Sequence, residues 1–517
     1  MVPAAVCAAI MIAAAFSVSV LVPRAWAHDA ADSTAVLSIT GEELHDDVAF
    51  LADDAREGRE AGTPGGEAAA QYLRDELEKL GLRPAGSNGF LQPFGDGYRN
   101  VLAEWPSDAA DDAEIIIVCA HYDHVGYGSK RNVRDKAGVI HNGADDNASG
   151  TAAVLEIAEA FTLLARPTRR KLLFAFWDAE EKGLLGSKHW VESPTRPLEK
   201  VRFLVNMDMI GRLRDRQLEV YGVRTGYGLR EMVSRLNRET DLVLSYSWWN
   251  RGDTDHAPFF RKQVPYLLFH TGMHEDYHAA TDDTEKINVE GMEAVARLVF
   301  ELTFTLADRN EPIAFRAAAK DESAKDWDAL LAEPQPWRDR TGMETENVPP
   351  ELGVLAVRIL RVRPDSPAAR AGLEAGWFIE AVDDVPVTSA ERLDAYLLRT
   401  RRPVVRLAVS RPNGVREIRE LIPVGKPLRL GLQWRPDDAE PRGVLVTRVL
   451  FGSPAEQAGI QAGDYVFGVN GEPLSEPERF DAIIETTAFP FTLLVDRQGR
   501  LKTVEIGDSA ETAENAQ

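Results

Sequence analysis

From Ala113 to His270 the chain repeats one pattern, an apolar run of strand length followed by a loop and an amphipathic helix. AEIIIVCA, TAAVLEIAEAFTLL, KLLFAFW, VRFLVNMD, REMVSRLNRET and VPYLLFH succeed one another in that order. Strands that lack polar alternation must be covered on both faces. The pattern therefore dictates an α/β fold, a mostly parallel sheet flanked by helices on both faces. In such sheets the chemistry gathers in loops at the carboxyl ends of the strands. Two helices precede the alternation: TGEELHDDVAFLADD, opened by Thr40, and EAAAQYLRDELEKLGL, which follows the Gly-rich loop GREAGTPGGE.

The flanking regions divide the rest. MVPAAVCAAIMIAAAFSVSVLVPRAWA is apolar up to Arg24 and ends in Ala25-Trp26-Ala27, which reads as a signal peptide over 1–27 and places the protein in the periplasm or outside the cell. The basic n-region is missing, so an uncleaved anchor is the alternative. No other segment is apolar enough to enter a membrane. The large α/β domain then occupies 28–307, and a charged, Ala- and Pro-containing helical linker 308–337. SPAARAGLEAGWFIEAVDDVPV from Ser366 is echoed by SPAEQAGIQAGDYVFGVNGEPL from Ser453, which gives two related small domains, 338–425 and 426–507, before a disordered tail, 508–517. An excess of 82 acidic over 59 basic residues, net −23, argues against nucleic acid or anionic lipid as a partner. Cys119, inside IIIVCA, is the one cysteine beyond the signal segment and reads as a small buried hydrophobe.

Several strand ends carry polar groups that make chemical sense together. IIIVCA ends in His121-Tyr122-Asp123-His124, NGADDNASG places Asp145 and Asp146 before a helix, KLLFAFW leads to Glu180-Glu181, VRFLVNMD ends in Asp208, and VPYLLFH leads to Tyr277-His278. Taken singly, each has a dull explanation: a core histidine, a helix cap, a solvated turn. Taken together, imidazole nitrogens and carboxylate oxygens are the ligands of zinc outside Cys sites, and carboxylates bridge metal pairs about 3.5–4 Å apart.

HYDH, GADDNASG, WDAEEKGLLGS, NMDMIGR and DYHAATDDTEKI, in this order, resemble the co-catalytic zinc aminopeptidases of clan MH, relatives of glutamate carboxypeptidase II and glutaminyl cyclase. The similarity spans roughly residues 40 to 305 and includes TPGGEAAAQYL. It implies two Zn²⁺: one held by His121 and Asp208, the other by Glu181 and His278, with Asp146 bridging them. It further implies that Glu180 is the general base toward a metal-bridging water, that Asp123 orients the His121 imidazole, and that Tyr277 donates a hydrogen bond to the oxyanion. The Asp146-Asn147 peptide bond is expected to be cis, as in relatives. RGDTDHAPFF resembles a family segment through Asp255-His256, while an ordinary helix start explains it equally. His124, His141, His270 and His274 match no ligand position.

The small domains resemble PDZ domains of exported proteases, with Thr341-Gly342-Met343 and Leu430-Gly431-Leu432 at the loop that would hold a peptide C-terminus. The first copy departs from the pattern at Gly376-Trp377 and Val382-Asp383-Asp384, so a packing or lid role competes there with peptide binding. The function implied is an exported dizinc metallo-aminopeptidase acting on N-terminal residues of peptides. A carboxypeptidase or N-acyl amino acid hydrolase on the same metal pair is the enzymatic alternative. An adaptor, PDZ-like modules on an inactive peptidase fold, is the alternative of another class, and the complete ligand set with Glu180 speaks against it.

Overall fold

The computed structural model describes residues 30–107, 113–164, 166–332, 339–349 and 356–507. The expected signal peptide and the expected tail lie outside these residues. Among the described residues no helix is long and apolar enough to cross a membrane.

The large domain is built on nine strands: β1 (Arg83–Pro84), β2 (Leu91–Phe94), β3 (Tyr98–Trp105), β4 (Ile115–His121), β5 (Lys171–Trp177), β6 (Val201–Met207), β7 (Gln217–Tyr221), β8 (Val243–Tyr246) and β9 (Tyr266–His270). They lie in the order β1-β3-β5-β4-β6-β9-β7-β8, with β2 beside β3. The central β5-β4-β6-β9 run is parallel, whereas β3 and β7 join it antiparallel and make the whole sheet mixed. Every residue of β4 is buried, which accounts for its unbroken apolar sequence. Ile116 and Val118 point into a core with the helices Gly41–Leu51, Pro64–Lys79, Gly150–Thr162 and Val289–Asp308. Ile117 and Cys119 point into the opposite core, against Trp190 of Leu185–Glu192 and Phe259 of His256–Arg261. Burial of each such aliphatic side chain is worth about 2 kcal/mol. Cys119 is a free thiol in that layer, and burial pushes its pKa well above the usual range.

Two six-stranded antiparallel sheets of matching topology follow, Met343–Leu421 and Leu432–Ile506, each with its own core. The repeated Gly and SP motifs meet inside each. Gly342 and Gly431 sit at φ 74° and 72°, and a Cβ at either would come within 2.1 or 2.2 Å of the Cβ of Ser366 or Ser453. Those serines cap the short helices that follow, accepting Ala369 N–H and Glu456 N–H.

The second repeat is welded to the large domain. Arg224 donates to Asp437 at 2.6 Å and to both oxygens of Glu322 at 2.7 and 2.8 Å, and its guanidinium lies 3.7 Å above Trp248. Glu440 accepts the N–H groups of Arg230 and Glu231, which open the helix Leu229–Leu236. The hairpin tip at Gln498 takes the Leu244 N–H at 2.8 Å and so covers the edge strand β8. The stretch read as a helical linker does contain a helix, Ala324–Ala332, but a docked one: Trp327 and Leu330 pack on Leu445, Tyr465 and Phe467 of the second repeat, and Trp327 lies 5.4 Å from Trp248. The first repeat touches the second through Ala395 and Leu398 against Leu450.

Candidate metal centre

The parallel run places the carboxyl ends of β4, β5, β6 and β9 along one edge, so His121, the Glu180-Glu181 turn, Asp208 and the loop to His278 open on the same cleft. His121 ends β4. Its Nδ1 sits 3.2 Å from the Asp123 carbonyl, which takes the ring N–H and leaves Nε2 as a bare lone pair. That Nε2 is 3.4 Å from Asp146 Oδ1 and 3.6 Å from Asp208 Oδ1. His278 solves the same problem with a different partner: its Nδ1 donates to the Asn132 carbonyl at 2.7 Å, and its Nε2 stands 3.2 Å from Asp146 Oδ2 and 3.1 Å from Glu181 Oε1. This Nε2 is buried and makes no directed hydrogen bond to either oxygen. A lone pair aimed between two carboxylates is what a metal ligand presents.

Asp146 thus turns one oxygen to each imidazole. Ligands about 2.0–2.1 Å from a tetrahedral Zn²⁺ lie roughly 3.3 Å from each other, and the observed separations of 3.1 to 3.6 Å fit that spacing. The residues would hold one ion by His121, Asp208 and Asp146, and a second by His278, Glu181 and Asp146. Glu180 stands beside the first set, with a carboxylate oxygen within 4.8 Å of the ligand atoms of His121 and Asp208.

The local sequence explains how adjacent residues reach different places. Ala179 at φ 55° breaks the strand, and the N–H groups of Gly183 and Leu184 close a turn on the Glu180 carbonyl. In the other acidic pair, Asp145 faces away, accepting the Gly211 N–H at 2.6 Å and pairing with His274 at 3.0 Å, which leaves Asp146 to the cleft. The Asp146-Asn147 bond is cis. The Asn147 side chain donates to the Met207 carbonyl at 3.0 Å and accepts the Met209 N–H at 3.1 Å, tying this loop to the end of β6 beside Asp208. Asp282, unnoticed in the sequence, accepts the N–H groups of Asp145 and Asp146.

Asp123 departs from the expectation that its side chain orients the His121 ring. The two are 3.8 Å apart, and the ring uses the nearer Asp123 carbonyl. The Asp123 carboxylate instead accepts the Glu180 N–H at 2.9 Å and the Glu181 N–H at 3.4 Å, so it fixes the turn that carries both glutamates.

His124 matches no ligand position in the sequence motifs. It is fully buried, with Nδ1 3.1 Å from Glu181 Oε1, and completes a cluster with Asp146 and Glu181. Only its place three residues after His121 could have marked it. Three further histidines have partners outside the cluster: His141 pairs with Asp135, His270 accepts the Gly272 N–H, and His256 stacks on Tyr266. Asp255 is buried in the same region, and burial raises its pKa to about 6.

The electrostatics follow from burial. Desolvation lifts Glu180 well above the carboxylate range, with Glu181, Asp255 and Asp208 adding to the lift and His121 opposing it. The His121 and His278 lone pairs face carboxylates that raise the proton affinity of both rings against the effect of burial. Tyr277 stacks on His278 at 4.0 Å beneath Arg134, and burial beside the carboxylates pushes its phenol upward, so it remains a donor.

The profile of peptidase family M28 matches residues 100–303, and the PDZ domain profile matches residues 358–411 and 445–497. The large domain belongs to peptidase family M28. Two PDZ domains follow it. Aminopeptidase YwaD of Bacillus subtilis (strain 168) is 32% identical over 196 residues, covering 36% of this chain and 40% of that protein. Leupeptin-inactivating enzyme 1 of Streptomyces exfoliatus is 32% identical over 154 residues, or 30% of this chain and 31% of that one. The chain therefore spans less than half the length of these relatives. The Legionella pneumophila LapA aminopeptidase structure aligns at 21% identity and TM-score 0.47, covering 55% of this chain and 76% of that one.

Proposed function

We propose that the chain is an exported dizinc metallo-aminopeptidase. The observation that carries the reading is Asp146, whose two oxygens face two separate imidazole–carboxylate sets with Glu180 beside one of them. Bound Zn²⁺ ions would supply Lewis acidity toward the scissile carbonyl and the attacking water. The chain's own groups do the remainder. Glu180 accepts a proton from the attacking water and returns it to the leaving amine. Positive charge on the ligand set would oppose the burial that lifts Glu180 and keep it ionised at rest. Tyr277, held protonated beside His278, donates to the developing oxyanion. Asp123 keeps the two glutamates in register through their backbone.

The test is hydrolysis of aminoacyl against N-blocked dipeptide chromogenic substrates, with and without a chelator. Chelator-sensitive turnover of the free-amine substrates alone is expected; preference for the blocked ones would overturn the aminopeptidase assignment. Export through the apolar segment ending at Ala27 is part of the reading, and the N-terminal residue of the protein recovered from periplasm or medium tests it.

The second PDZ domain is the better receptor for a peptide C-terminus. In the first, Asp339 Oδ1 already accepts the N–H groups of Thr341 at 2.8 Å and Gly342 at 2.5 Å, the donors that a terminal carboxylate would need. In the second, the aligned residue is Leu428, and among the described residues the N–H groups of Leu430 and Gly431 meet no acceptor.

A further inference from the structure

Arg59 lies outside every motif that points to the metal centre, yet it is 0% exposed and sits directly behind it. The turn that carries it is unusual. Glu57, Gly58 and Arg59 are all left-handed, at φ 48°, 68° and 37°, and a Cβ on Gly58 would come within 2.4 Å of the His141 carbonyl and 2.7 Å of the Gly126 carbonyl. The turn is thus pressed between two stretches of the long connection that follows β4, and the His124 N–H donates to the Arg59 carbonyl at 3.4 Å.

The guanidinium spends all its donors on backbone carbonyls. Nε donates to Tyr122 at 2.8 Å, Nη1 to Leu51 at 3.3 Å and to Asn142, and Nη2 to Gly143 at 2.6 Å and Asp146 at 3.3 Å. A guanidinium has five N–H bonds and here each finds one acceptor. No carboxylate among the described residues pairs with it directly. Burial works against its charge and lowers its pKa to about 10, while the field of Asp146, Asp282, Asp123 and Glu181 opposes that loss and keeps it cationic at neutral pH. The acceptors come from either side of the site: Tyr122 is next to His121, and Asn142, Gly143 and Asp146 form the loop of the bridging aspartate. A planar fork spans these carbonyls at fixed spacing, which a single ammonium cannot do.

We infer that Arg59 is a positioning residue for the metal centre, a clamp that holds the His121 loop and the Asp146 loop at coordination spacing before any ion binds. The inference rests on the dizinc reading above. An arginine that only filled the core would affect folding and leave the zinc affinity of the folded chain unchanged. A clamp sets that affinity.

The experiment uses the full chain and its Arg59→Met, Arg59→Lys and Arg59→Gly variants, with zinc titrated against a chromogenic chelator, thermal melts with and without zinc, and kcat and KM on an aminoacyl substrate. Wild type should take up two ions. The Met and Lys variants leave buried carbonyls without donors and should melt below wild type; the chain that remains folded in saturating zinc should bind zinc about 10- to 100-fold more weakly, the range seen for partners of metal ligands, and lose kcat with little change in KM. Guanidinium ion at millimolar concentration should restore part of the affinity and turnover of Arg59→Gly and leave wild type unchanged. Wild-type zinc affinity and kcat in either the Met or the Lys variant would overturn the clamp. So would an Arg59→Gly chain that is folded but indifferent to guanidinium. A wild-type chain that took up no zinc would sink the dizinc reading itself, and the assignment of Arg59 with it.

Discussion

Replacing Asp437 with alanine tests whether the second PDZ domain is part of the peptidase body or a tethered module. Its carboxylate is 3% exposed, accepts Arg224 at 2.6 Å and the Tyr465 hydroxyl at 2.7 Å, and also takes the Ala439 N–H. Severing one partner of a buried ion pair costs about 3–5 kcal/mol, because the other charge stays desolvated. Arg224 keeps its two bonds to Glu322, which moves the cost to the lower end; Tyr465 loses its acceptor, which adds about 1 kcal/mol. The expected loss is therefore roughly 3–4 kcal/mol, concentrated at the docking surface. Urea unfolding followed by tryptophan fluorescence reads it directly, since Trp248 and Trp327 face each other 5.4 Å apart within that surface. An early fluorescence transition should separate from the loss of far-ultraviolet circular dichroism in Asp437→Ala, while wild type shows them closer together. A chain cut after Asp308 should lose solubility, because it uncovers β8 and strands Arg224 and Arg230 without Asp437 and Asp496. If Asp437→Ala unfolded within 1 kcal/mol of wild type with superimposed transitions, the welded-domain account would fail.

Glu180→Gln should retain zinc and lose about 10²–10⁴-fold in kcat, since an amide accepts no proton; turnover near wild type would remove Glu180 as the base. Asp339→Ala should free the first PDZ loop and give it measurable affinity for a fluorescent C-terminal peptide, read by anisotropy with the second domain's site saturated; no gain would show that Asp339 does not close that site. Asp47 predicts a pH dependence away from the metal centre: burial raises its pKa to about 7, opposed by its bond from Tyr72, against about 3.9 in an unfolded chain. Between those values the folded state holds the extra proton, so stability is greatest below about pH 4, declines as pH rises toward about 7, and changes no further from this group above it. The decline is at most about 4 kcal/mol, and thermal melts should show Asp47→Asn to be flatter across the same window.

How much was visible beforehand depends on the range over which each residue finds its partner. The candidate ligands were legible because His121 and Asp208 close apolar runs, Glu181 and His278 follow such runs in the next loop and Asp146 precedes the helix after β4, and parallel strands deliver their ends to one edge. Glu180 and Glu181 could be told apart only through the family resemblance, since nothing in EE itself fixes a left-handed Ala179 before them. The spacing of Asp123 points to its sequence neighbour His121, but its carboxylate satisfies backbone N–H groups 57 and 58 residues away, which no local spacing reveals. The same holds for Asn132, whose carbonyl sets the His278 tautomer across 146 residues, and for Arg224, which meets Asp437 across 213.

A charged residue in a turn, such as Arg59 in GREAGTPGGE, reads as solvated because most such residues are. What reverses that expectation is the number of carbonyls left unpaired where two irregular loops converge. Bringing His121 and Asp146 face to face requires the connection after β4 to depart from regular structure at both its ends, and its inward-facing carbonyls must then find donors away from water. A guanidinium supplies five at once. The irregularity that lets His121 and Asp146 face each other is thus what calls for a buried arginine behind them, and that link between ligand geometry and backbone satisfaction appears only when the strand ends are brought together.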